Sequence, residues 1–459
     1  MVATTAFSVK QASRVNNGRV RYALCGLSNR AIGMYIPALT THLVYSRSAE
    51  LVAVLDMDLP RIEAFKELRG LDFAAYRPDA FDRMIEETAP DVVIVATPDG
   101  THVDFIVQAL QHDVDVVTEK PMVIDGEQAN RIFAAEATSK GTVRVTHNSR
   151  YTAANRQIKQ MVLDGLVGRI TNVEFVWNID TYHGSSYFYR WNRDREKSGG
   201  MSITKGCHHF DLLNWWMADV PQQVFAFGAL NYYGAKSPWN PSVIDGKEYS
   251  VREQRDRCAY RQRWLTADAP PEDDHLKPGD PGYTLPNEAQ YPRDHPIYIY
   301  DADIDIEDTY SAVIRYQGGA SATYSANFSA AWEGYTLAIN GTGGRLESTH
   351  YSAPSRTPFP VPDQQSITYF PMFGERQIHE TRKTTGGHGG ADPLLLRHLF
   401  AGEQEADDEL GLAAGSLDGA YAVAVGEAVW RSARENRLIT ISDLLQRSDN
   451  PYQRGKHDE

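Results

Sequence analysis

The 459-residue sequence has no long apolar run and no excess of positive charge. No window approaches the roughly 18 consecutive apolar residues that a membrane span requires. The formal net charge is -14 at pH 7, whereas nucleic-acid binding depends on a basic surface that neutralises phosphates. We therefore expect neither a membrane protein nor a nucleic-acid-binding protein.

Cysteine is also scarce. The three cysteines, Cys25, Cys207 and Cys258, are widely spaced and show neither a paired framework nor a CxxC motif. The segment before Arg19 lacks the apolar core and small-residue cleavage site of a secretory signal. A reducing compartment and a cytoplasmic location are the expectation.

The residues that are present predict two domains, because a chain of this length exceeds the size at which one hydrophobic core stops growing. Residues 19–147 alternate short β-rich runs with helical stretches, the pattern of a doubly wound parallel sheet, or Rossmann fold. The runs are rich in Val, Ile, Leu and Ala, as expected for strands buried on both faces. They read VRYALC, ELVAVLD, DVVIVA, DVVTE and TVRVTH.

Residues 148–459 form the predicted second domain, of the α+β type with a large, mostly antiparallel open sheet. A helix is predicted over 153–163, and Gly-rich turns separate several of the later strands. Residues 231–296 are rich in Pro, Gly, Asp and Tyr without a sustained period, which indicates a long insertion. Such an insertion commonly covers a site or an interface.

A glycine-rich turn follows the first predicted strand and resembles a degraded GxGxxG motif, GLSNRAIGMY. In a dinucleotide-binding turn, glycine makes the tight bend and small residues let backbone amides approach the pyrophosphate. Gly26, Ser28, Asn29 and Arg30 are therefore cofactor-binding candidates. The alternative is a plain strand-to-helix connection.

An aspartate, Asp56, ends the second predicted strand. An acidic residue there can accept hydrogen bonds from the hydroxyls of an adenosine ribose, which favours NAD over NADP. The alternative is a helix N-cap, a role for which Asp56 and Asp58 are equally suited.

Further candidates follow two other strands of the same sheet at its carboxyl edge, where open α/β folds bind ligands. Thr97, Pro98 and His102 follow one strand, and Glu119 and Lys120 follow the next. Lys120 can hydrogen-bond a reacting hydroxyl, and burial beside a positively charged nicotinamide is expected to lower its pKa. The alternatives are a turn with a helix cap and a solvated surface lysine.

The second domain contains the segment SGGMSITKGCHHFDLLNWW, which predicts a largely buried helix carrying His208 and Asp211 on one face. His208 is a candidate proton acceptor, and Asp211, one turn later, could orient it. Lys205 could neutralise an anionic substrate or support proton transfer. The alternatives are a core histidine and a polar helix entry. Metal binding is not expected, because the side chains of Cys207, His208 and His209 diverge around the helix.

Several further residues are candidates for substrate binding. An aromatic and basic segment upstream of His208 is suited to stacking on a sugar or pairing with an anion, and another group lies at the predicted domain junction, where a pocket should open. Both groups could equally be ordinary interface residues. The candidates are Arg190, Trp191, Arg193 and Arg195, then His147, Asn148, Arg150 and Tyr151, together with Lys205 and His209.

Taken together, TEKPM, the glycine turn, HNSRYT, SGG and GCHHFD resemble the Gfo/Idh/MocA family of oxidoreductases over nearly the whole chain. The resemblance implies that Lys120 and His208 occupy the family's catalytic lysine and histidine positions, with Asp211 at the adjoining aspartate. It also implies NAD as cofactor and a homo-oligomer built through the open C-terminal sheet. One departure is Thr204, which stands where many members carry an acidic residue four positions before the histidine.

Three functions remain open at this point. The first is an NAD-dependent dehydrogenase that removes hydride from a sugar ring hydroxyl, with C3 the expected position. The second is an NAD-dependent glycosidase that oxidises C3 transiently, eliminates the aglycone and then reduces the ring again, on an anionic sugar such as a sulfoquinovoside. The third is a non-catalytic sugar or nucleotide sensor.

Overall fold

The structure, a computed structural model, describes residues 18–264, 297–382, 386–401 and 408–452. Its first part alternates strands and helices as predicted. The strands are β1 (Val20–Cys25), β2 (Ala49–Leu55), β3 (Ala74–Tyr76), β4 (Val92–Val95), β5 (Asp115–Thr118) and β6 (Val143–Val145). The helices are α1 (Ile36–Thr40), α2 (Leu59–Arg69), α3 (Phe81–Thr88), α4 (His102–Gln111) and α5 (Gly126–Glu136).

The second part contains the remaining elements. Its strands are β7 (Ile170–Asp180), β8 (Pro221–Ala229), β9 (Thr309–Tyr316), β10 (Ser321–Ala330), β11 (Gly334–Gly341), β12 (Gly344–Tyr351), β13 (Ser366–Pro371), β14 (Gln377–Glu380), β15 (Ala414–Gly415) and β16 (Ile439–Thr440). Its helices are α6 (Ala153–Leu163), α7 (Thr181–Ser185), α8 (Arg195–Ser198), α9 (Met201–Thr204), α10 (Gly206–Met217), α11 (Pro241–Asp245), α12 (Val251–Arg257), α13 (Ala259–Trp264), α14 (Gly387–Phe400) and α15 (Ser416–Glu435).

The N-terminal sheet has the strand order β15-β6-β5-β4-β1-β2-β3, in which β1 to β6 are parallel. All four residues of β4 are buried, which explains its unbroken VVIV sequence. The short strand β15 pairs antiparallel with β6, so a segment from the second half of the chain completes this sheet. The carboxyl ends of β1, β4 and β5 therefore lie side by side and bring their following loops together.

The second sheet has nine strands in the order β14-β13-β12-β11-β7-β10-β9-β8-β16, and β7 and β10 form its parallel pair. One face is covered by helices, among them α15 over β8. Along β7, Phe175 and Trp177 are buried on that face, whereas Val176 lies exposed on the other. The prediction of an α/β protein with an N-terminal Rossmann sheet and a mostly antiparallel open C-terminal sheet is confirmed.

Helix α6 spans 153–163, as the sequence predicts. Six strands were not predicted, namely β3, β8, β13, β14, β15 and β16. The described part of the insertion, residues 231–264, contains α11, α12 and α13 rather than unperiodic chain. Residues 265–296 of the insertion lie outside the described residues. Among the described residues, no helix combines the length and apolarity needed to cross a membrane.

Candidate active site

The glycine turn after β1 lies against the loop that follows β4. Gly26 has a φ of 93°, and a Cβ atom there would stand 2.7 Å from the carbonyl oxygen of Ala96. Only glycine combines this backbone conformation with so close an approach. Ser28 then opens the following helical segment, where its Oγ accepts a hydrogen bond from the amide of Ala31 at 3.2 Å. The turn therefore delivers a helix N-terminus, with its unpaired amides, to the carboxyl edge of the sheet.

The two candidate aspartates after β2 have separate roles. Asp58 is the N-cap of α2, because its side chain accepts a hydrogen bond from the amide of Arg61 at 3.0 Å. The carboxylate of Asp56 accepts hydrogen bonds from the amides of Leu27 at 2.7 Å and Asp58 at 3.0 Å. Asp56 thus holds the glycine turn in place. It also lies at the end of β2, where an acidic residue is expected to bind the ribose.

Arg30 bridges the two parts of the chain. Its guanidinium donates to Glu119 at 2.9 Å and to the carboxylate of Asp392 at 2.9 and 3.1 Å. Although burial acts to raise the pKa of Asp392, hydrogen bonds from His388 and Arg30 hold it well below its usual range. The glycine cluster at 386–392 lies here, beside a cleft of about 360 Å³. This cleft is lined by Asn29, Arg30, Gly33, Met34, Gly387, Asp392, Pro393 and Leu396.

The loop after β4 is held in place by the buried side chain of His102. His102 is buried, and its ring nitrogens lie 2.8 Å from the carbonyl oxygen of Thr97 and 2.9 Å from that of Pro121. Because both nitrogens face backbone oxygens, His102 joins the loops after β4 and β5. Its predicted contact with a cofactor is wrong; Thr97 and Pro98 remain candidates at the edge that it supports.

Lys120 reaches from the Rossmann sheet into the second domain. Its Nζ donates a hydrogen bond to the carbonyl oxygen of Thr204 at 3.3 Å. Thr204 ends α9, and His208 lies one turn later in α10. Lys120 and His208, predicted from distant parts of the sequence, therefore meet around residues 204–208.

The pKa of Lys120 differs from the expectation. Burial acts to lower it, but Cys207, Tyr187, Asp99 and Glu119 act in the opposite direction, and the balance is a raised pKa. Burial raises the pKa of the Cys207 thiol to about 12, which leaves this thiol neutral near pH 7. The two carboxylates are therefore the anions that raise the pKa of Lys120. The predicted lowering by a bound, positively charged nicotinamide stays a prediction.

His208 is buried, with Nδ1 3.0 Å from the hydroxyl oxygen of Ser149. Burial lowers its pKa well below the usual value, and the positive charges of Lys120 and Lys205 lower it further. His208 is therefore neutral near pH 7, as the sequence predicts. A neutral imidazole can donate one hydrogen bond and accept another.

Asp211 does not orient His208, which corrects the prediction from helical spacing. Its carboxylate instead accepts two hydrogen bonds from Arg150, at 2.9 and 2.5 Å. Arg150 also donates to Asp418 at 2.8 Å and to the carbonyl oxygen of Gly411 at 2.9 Å. Since Arg150 is 1% exposed, it is a buried structural cation, and its predicted contact with substrate is wrong.

The upstream arginines are likewise paired inside the protein. Arg193 forms ion pairs with Asp301 and Asp303, and Arg195 with Glu307. Because both arginine side chains are buried and already paired with carboxylates, their predicted contact with an anionic substrate is wrong. Arg190 bonds Ser186 and lies over the ring of Tyr187, and Trp191 is half-buried.

His209 is a core histidine, the structural alternative to substrate binding that the sequence left open. It is fully buried and stacked on Trp177, and its Nδ1 lies 2.8 Å from the hydroxyl of Tyr324. Tyr151 is also buried and accepts a hydrogen bond from Arg144 at 3.0 Å. Contact with substrate was predicted for both His209 and Tyr151, and this packing contradicts it.

The junction residues 147 and 148 are also buried. Nε2 of His147 lies 3.8 Å from the carboxylate of Asp211, and burial lowers the pKa of His147. Asn148 donates to the carboxylate of Asp392 at 3.1 Å. The two residues line the seam between the domains behind Lys120 and His208.

Lys205 differs from the arginines because it is half-exposed and holds no ion pair within the part of the chain that the structure describes. The nearby carboxylate of Glu333 is occupied by His183 at 2.9 Å and by Arg356 at 2.6 Å. Lys205 therefore remains available to an anionic group beside Lys120.

Three further residues that were not predicted from the sequence lie at this site. Asp99 accepts a hydrogen bond from Thr204, Ser149 contacts His208, and Asp392 binds Arg30. Asp99 lies between the candidates Pro98 and His102, but the partners of Asp99 and Asp392 lie far away in sequence. No group of histidine, cysteine and acidic side chains among the described residues is arranged to hold a metal ion.

These features fit a dinucleotide. The bare Gly26 turn and the helix N-terminus after it suit a pyrophosphate, and Asp56 suits a ribose. Lys120, at the carboxyl edge of β5, suits the nicotinamide end. The candidate cofactor residues of the sequence, with the exception of His102, thus lie along one edge of the Rossmann sheet.

Comparison with known proteins agrees with this reading. Residues 20–147 match the model for the NAD-binding Rossmann fold of an oxidoreductase family, and residues 159–441 match the model for its C-terminal alpha/beta domain. The chain is 46% identical to YteT of Bacillus subtilis (strain 168) over 430 residues, which cover 92% of this chain and 98% of that protein. Inositol 2-dehydrogenase of Rubrobacter xylanophilus is 26% identical over 186 residues, covering 39% of this chain and 48% of the relative.

Solved structures share the fold. Aldose-aldose oxidoreductase from Caulobacter crescentus superposes with a TM-score of 0.59 at 18% identity, covering 92% of this chain and 99% of that chain. A levoglucosan dehydrogenase in complex with NADH and levoglucosan gives 0.61 at 14% identity, again covering 92% and 99%. Both family models together span nearly all of the chain, and NAD is accordingly its cofactor. The protein belongs to the Gfo/Idh/MocA family of NAD-binding oxidoreductases.

Proposed function

We propose that this protein is an NAD-dependent sugar dehydrogenase that oxidises a ring hydroxyl of a pyranose or pyranoside, with C3 as the expected position. The observation that carries the proposal is the bond from Lys120 to the carbonyl oxygen of Thr204, one turn before His208. It brings an amine at the cofactor edge and a neutral imidazole to one place. The names of the relatives, inositol 2-dehydrogenase and levoglucosan dehydrogenase, support a carbohydrate substrate.

NAD, when bound, supplies the hydride acceptor. The sequence favours His208 as the proton acceptor, but burial lowers the pKa of His208 far below that of Lys120, which makes the neutral amine the stronger base. In this proposal Lys120 in its neutral form accepts the proton of the reacting hydroxyl, while His208 holds the same hydroxyl by a hydrogen bond. Because the pKa of Lys120 is raised, this scheme gives an oxidation rate that increases with pH until the amine is deprotonated. Ser149 keeps the imidazole of His208 in orientation.

A second candidate is the NAD-dependent glycosidase, acting on an anionic sugar such as a sulfoquinovoside. The observation that favours it is the half-exposed Lys205, which holds no ion pair within the described ranges. The arginine segment no longer supports it, since Arg193 and Arg195 are already paired. Both candidates begin with the same oxidation next to Lys120.

One assay distinguishes the candidates. Purified protein is incubated with NAD and a panel of aldoses and neutral and anionic aryl glycosides, while NADH absorbance and aglycone release are recorded together. NADH without aglycone supports the dehydrogenase, and aglycone without net NADH contradicts it in favour of the glycosidase. Absence of both signals in wild type and Lys120→Ala alike would favour a sensor.

We also propose a homo-oligomer that covers the open face of the nine-stranded sheet, where Phe227, Val313 and Ile378 are more than half exposed. Analytical ultracentrifugation of the wild type and of Val313→Glu tests it, with dissociation expected for the variant. A monomeric wild type would contradict it. The buried free cysteines Cys25, Cys207 and Cys258 support the cytoplasm as the proposed compartment.

A further inference from the structure

A buried carboxylate lies next to Lys120 that the proposed reaction has not used. Asp99 follows β4 and is 7% exposed. Its Oδ2 accepts a hydrogen bond from Thr204 Oγ1 at 2.6 Å. The carbonyl oxygen of the same threonine accepts a hydrogen bond from Lys120 Nζ at 3.3 Å. Asn192 donates to the Thr204 hydroxyl oxygen at 3.3 Å and fixes its direction. Asp99, Thr204 and Lys120 therefore form one connected unit.

Two carboxylates, Asp99 and Glu119, act electrostatically on the charge of Lys120, and among the described residues neither forms an ion pair with it. Glu119, the other carboxylate near Lys120, is bonded to Arg30 at 2.9 Å and to Tyr35 at 2.6 Å. Among the described residues, no ion pair binds Asp99 to an arginine. Lys120 is accordingly the amine whose charge Asp99 stabilises most directly.

Burial raises the pKa of Asp99 to about 6, while His102, Lys120 and the hydrogen bond from Thr204 act to lower it. Asp99 is therefore anionic above about pH 6. The groups that face Lys120 are Cys207, Tyr187, Asp99 and Glu119, and its charge in turn reaches His208 and His147.

The place of Asp99 in the fold also offers a purely structural role. Its neighbour Gly100 packs against α8, where a Cβ would stand 3.0 Å from the carbonyl oxygen of Lys197. The loop thus crosses between the domains, and the bond from Thr204 to Asp99 could simply hold them together. A structural link and an electrostatic partner of Lys120 give different results when only the charge is removed.

We infer that Asp99 is a positioning carboxylate for Lys120, supplied by the Rossmann domain through Thr204. This inference rests on the proposed function. In the reaction, the hydroxyl O–H bond breaks and its proton passes to the Lys120 amine, the carbonyl forms, and the carbon loses hydride to bound NAD. Asp99 takes no proton and stabilises the ammonium that Lys120 becomes.

The test removes the charge with Asp99→Asn, which retains an oxygen to accept the Thr204 hydrogen bond. We expect the plateau kcat to fall about 10- to 100-fold, as for loss of a charge-assisted interaction. KM should change by less than about threefold, since substrate binding is retained. The rising limb of the pH profile should move to lower pH, because Lys120 loses an anion that raises its pKa.

A second readout does not need activity. Acetic anhydride labels neutral amines, and mass spectrometry follows the peptide containing Lys120. At pH 8, labelling of Lys120 should be on the order of tenfold faster in Asp99→Asn, since an adjacent opposite charge shifts a pKa by about 1–3 units. If no sugar is oxidised by the wild type, the proposed function fails while this readout still decides the role of Asp99.

Rescue distinguishes charge from structure. The double variant Asp99→Asn/Thr204→Asp places a carboxylate on the other side of the same hydrogen bond and should restore much of the wild-type labelling rate and kcat. Asp104→Asn, an exposed position on α4, is the matched control and should match wild type. Thr204→Val, which keeps the carbonyl, should shift labelling in the same direction as Asp99→Asn and serves if that variant does not fold. Wild-type labelling and pH profile in Asp99→Asn and Thr204→Val would overturn the inference.

Discussion

Two buried charge clusters meet at the junction of the domains, and they differ in how completely their groups are paired. Arg150 makes four hydrogen bonds, to Asp211, Asp418 and the carbonyl oxygen of Gly411. Lys120 makes one long bond to a backbone oxygen, at 3.3 Å. A cation with four of its five donors used is suited to hold a fold, whereas a cation with most of its donors free is suited to bind a ligand. We therefore infer that Arg150 stabilises the domain junction and that Lys120 takes part in the reaction.

The largest effect is expected when the amine of Lys120 is removed. Lys120→Met should lower kcat by about 10²- to 10⁴-fold, the range that a general acid or base contributes. The free energy of unfolding should stay near that of wild type, since one weak bond is lost. NADH formation and urea unfolding are measured on the same samples, with Lys140→Met, which is exposed and removes a surface lysine, as control. A large loss of stability with unchanged kcat would reverse the assignment.

The opposite result is expected for the structural cluster. Arg150→Met leaves Asp211 and Asp418 buried without their cation and should lower the free energy of unfolding by about 3–5 kcal/mol. Arg345→Met, which breaks surface ion pairs with Glu174 and Glu347, should cost less than about 1 kcal/mol. Urea unfolding of both variants checks the difference. Equal costs would show that the Arg150 cluster is not what holds the junction.

The pH dependence of stability at Asp99 provides a third test of the difference between the two clusters. Because its folded-state pKa is raised from 3.8 to about 6, ionisation of Asp99 costs stability as pH rises through this window. Asp99→Asn should therefore stabilise the protein at pH 8 by up to about 3 kcal/mol. The gain should shrink at pH 5, where wild-type Asp99 is mostly protonated. Thermal or urea unfolding at both pH values measures it, and destabilisation at pH 8 would favour a purely structural role.

The smallest expected effect concerns the glycine turn. Gly26→Ala places a methyl group 2.7 Å from the Ala96 carbonyl at a positive φ and should cost about 1–2 kcal/mol. It should also weaken NAD binding, because the turn must shift. Gly33→Ala meets no atom within 4 Å and should be neutral or stabilising by up to about 1 kcal/mol. Urea unfolding compares the stability of the two variants, and NAD titration by calorimetry compares Gly26→Ala with wild type. Wild-type NAD affinity in Gly26→Ala would contradict the fit of the turn to NAD.

Much of the fold was predictable because it depends on local pattern. The buried strand β4 appears in the sequence as an unbroken apolar run, and the amphipathic helix α6 appears as periodic apolar residues. Strand β3 has only three residues and β14 is mostly exposed, so neither produces such a signal. The helices of the insertion are five to seven residues long and owe their stability to caps such as Ser250, which local composition concealed.

The site was predictable where motif and position coincide, as for Lys120 and His208. The error over Asp211 has a physical cause: helical spacing predicts which residues share a face, but not which partner arrives from another element. Arg150 comes from the domain junction, and its guanidinium binds the carboxylate of Asp211 in place of His208. The link between Asp99 and Thr204 was hidden for the same reason, since 105 positions separate the two residues.

The central claim, that the amine of Lys120 accepts the hydroxyl proton during oxidation of a sugar, is tested most directly by single-turnover NADH formation. Wild type and Lys120→Met, each saturated with NAD, are mixed with the most active sugar of the panel between pH 6 and 10. The account predicts a wild-type rate that rises with pH across this range and a variant whose rate is at least about 10²-fold lower and nearly independent of pH. A variant with the wild-type pH profile and rate would contradict it.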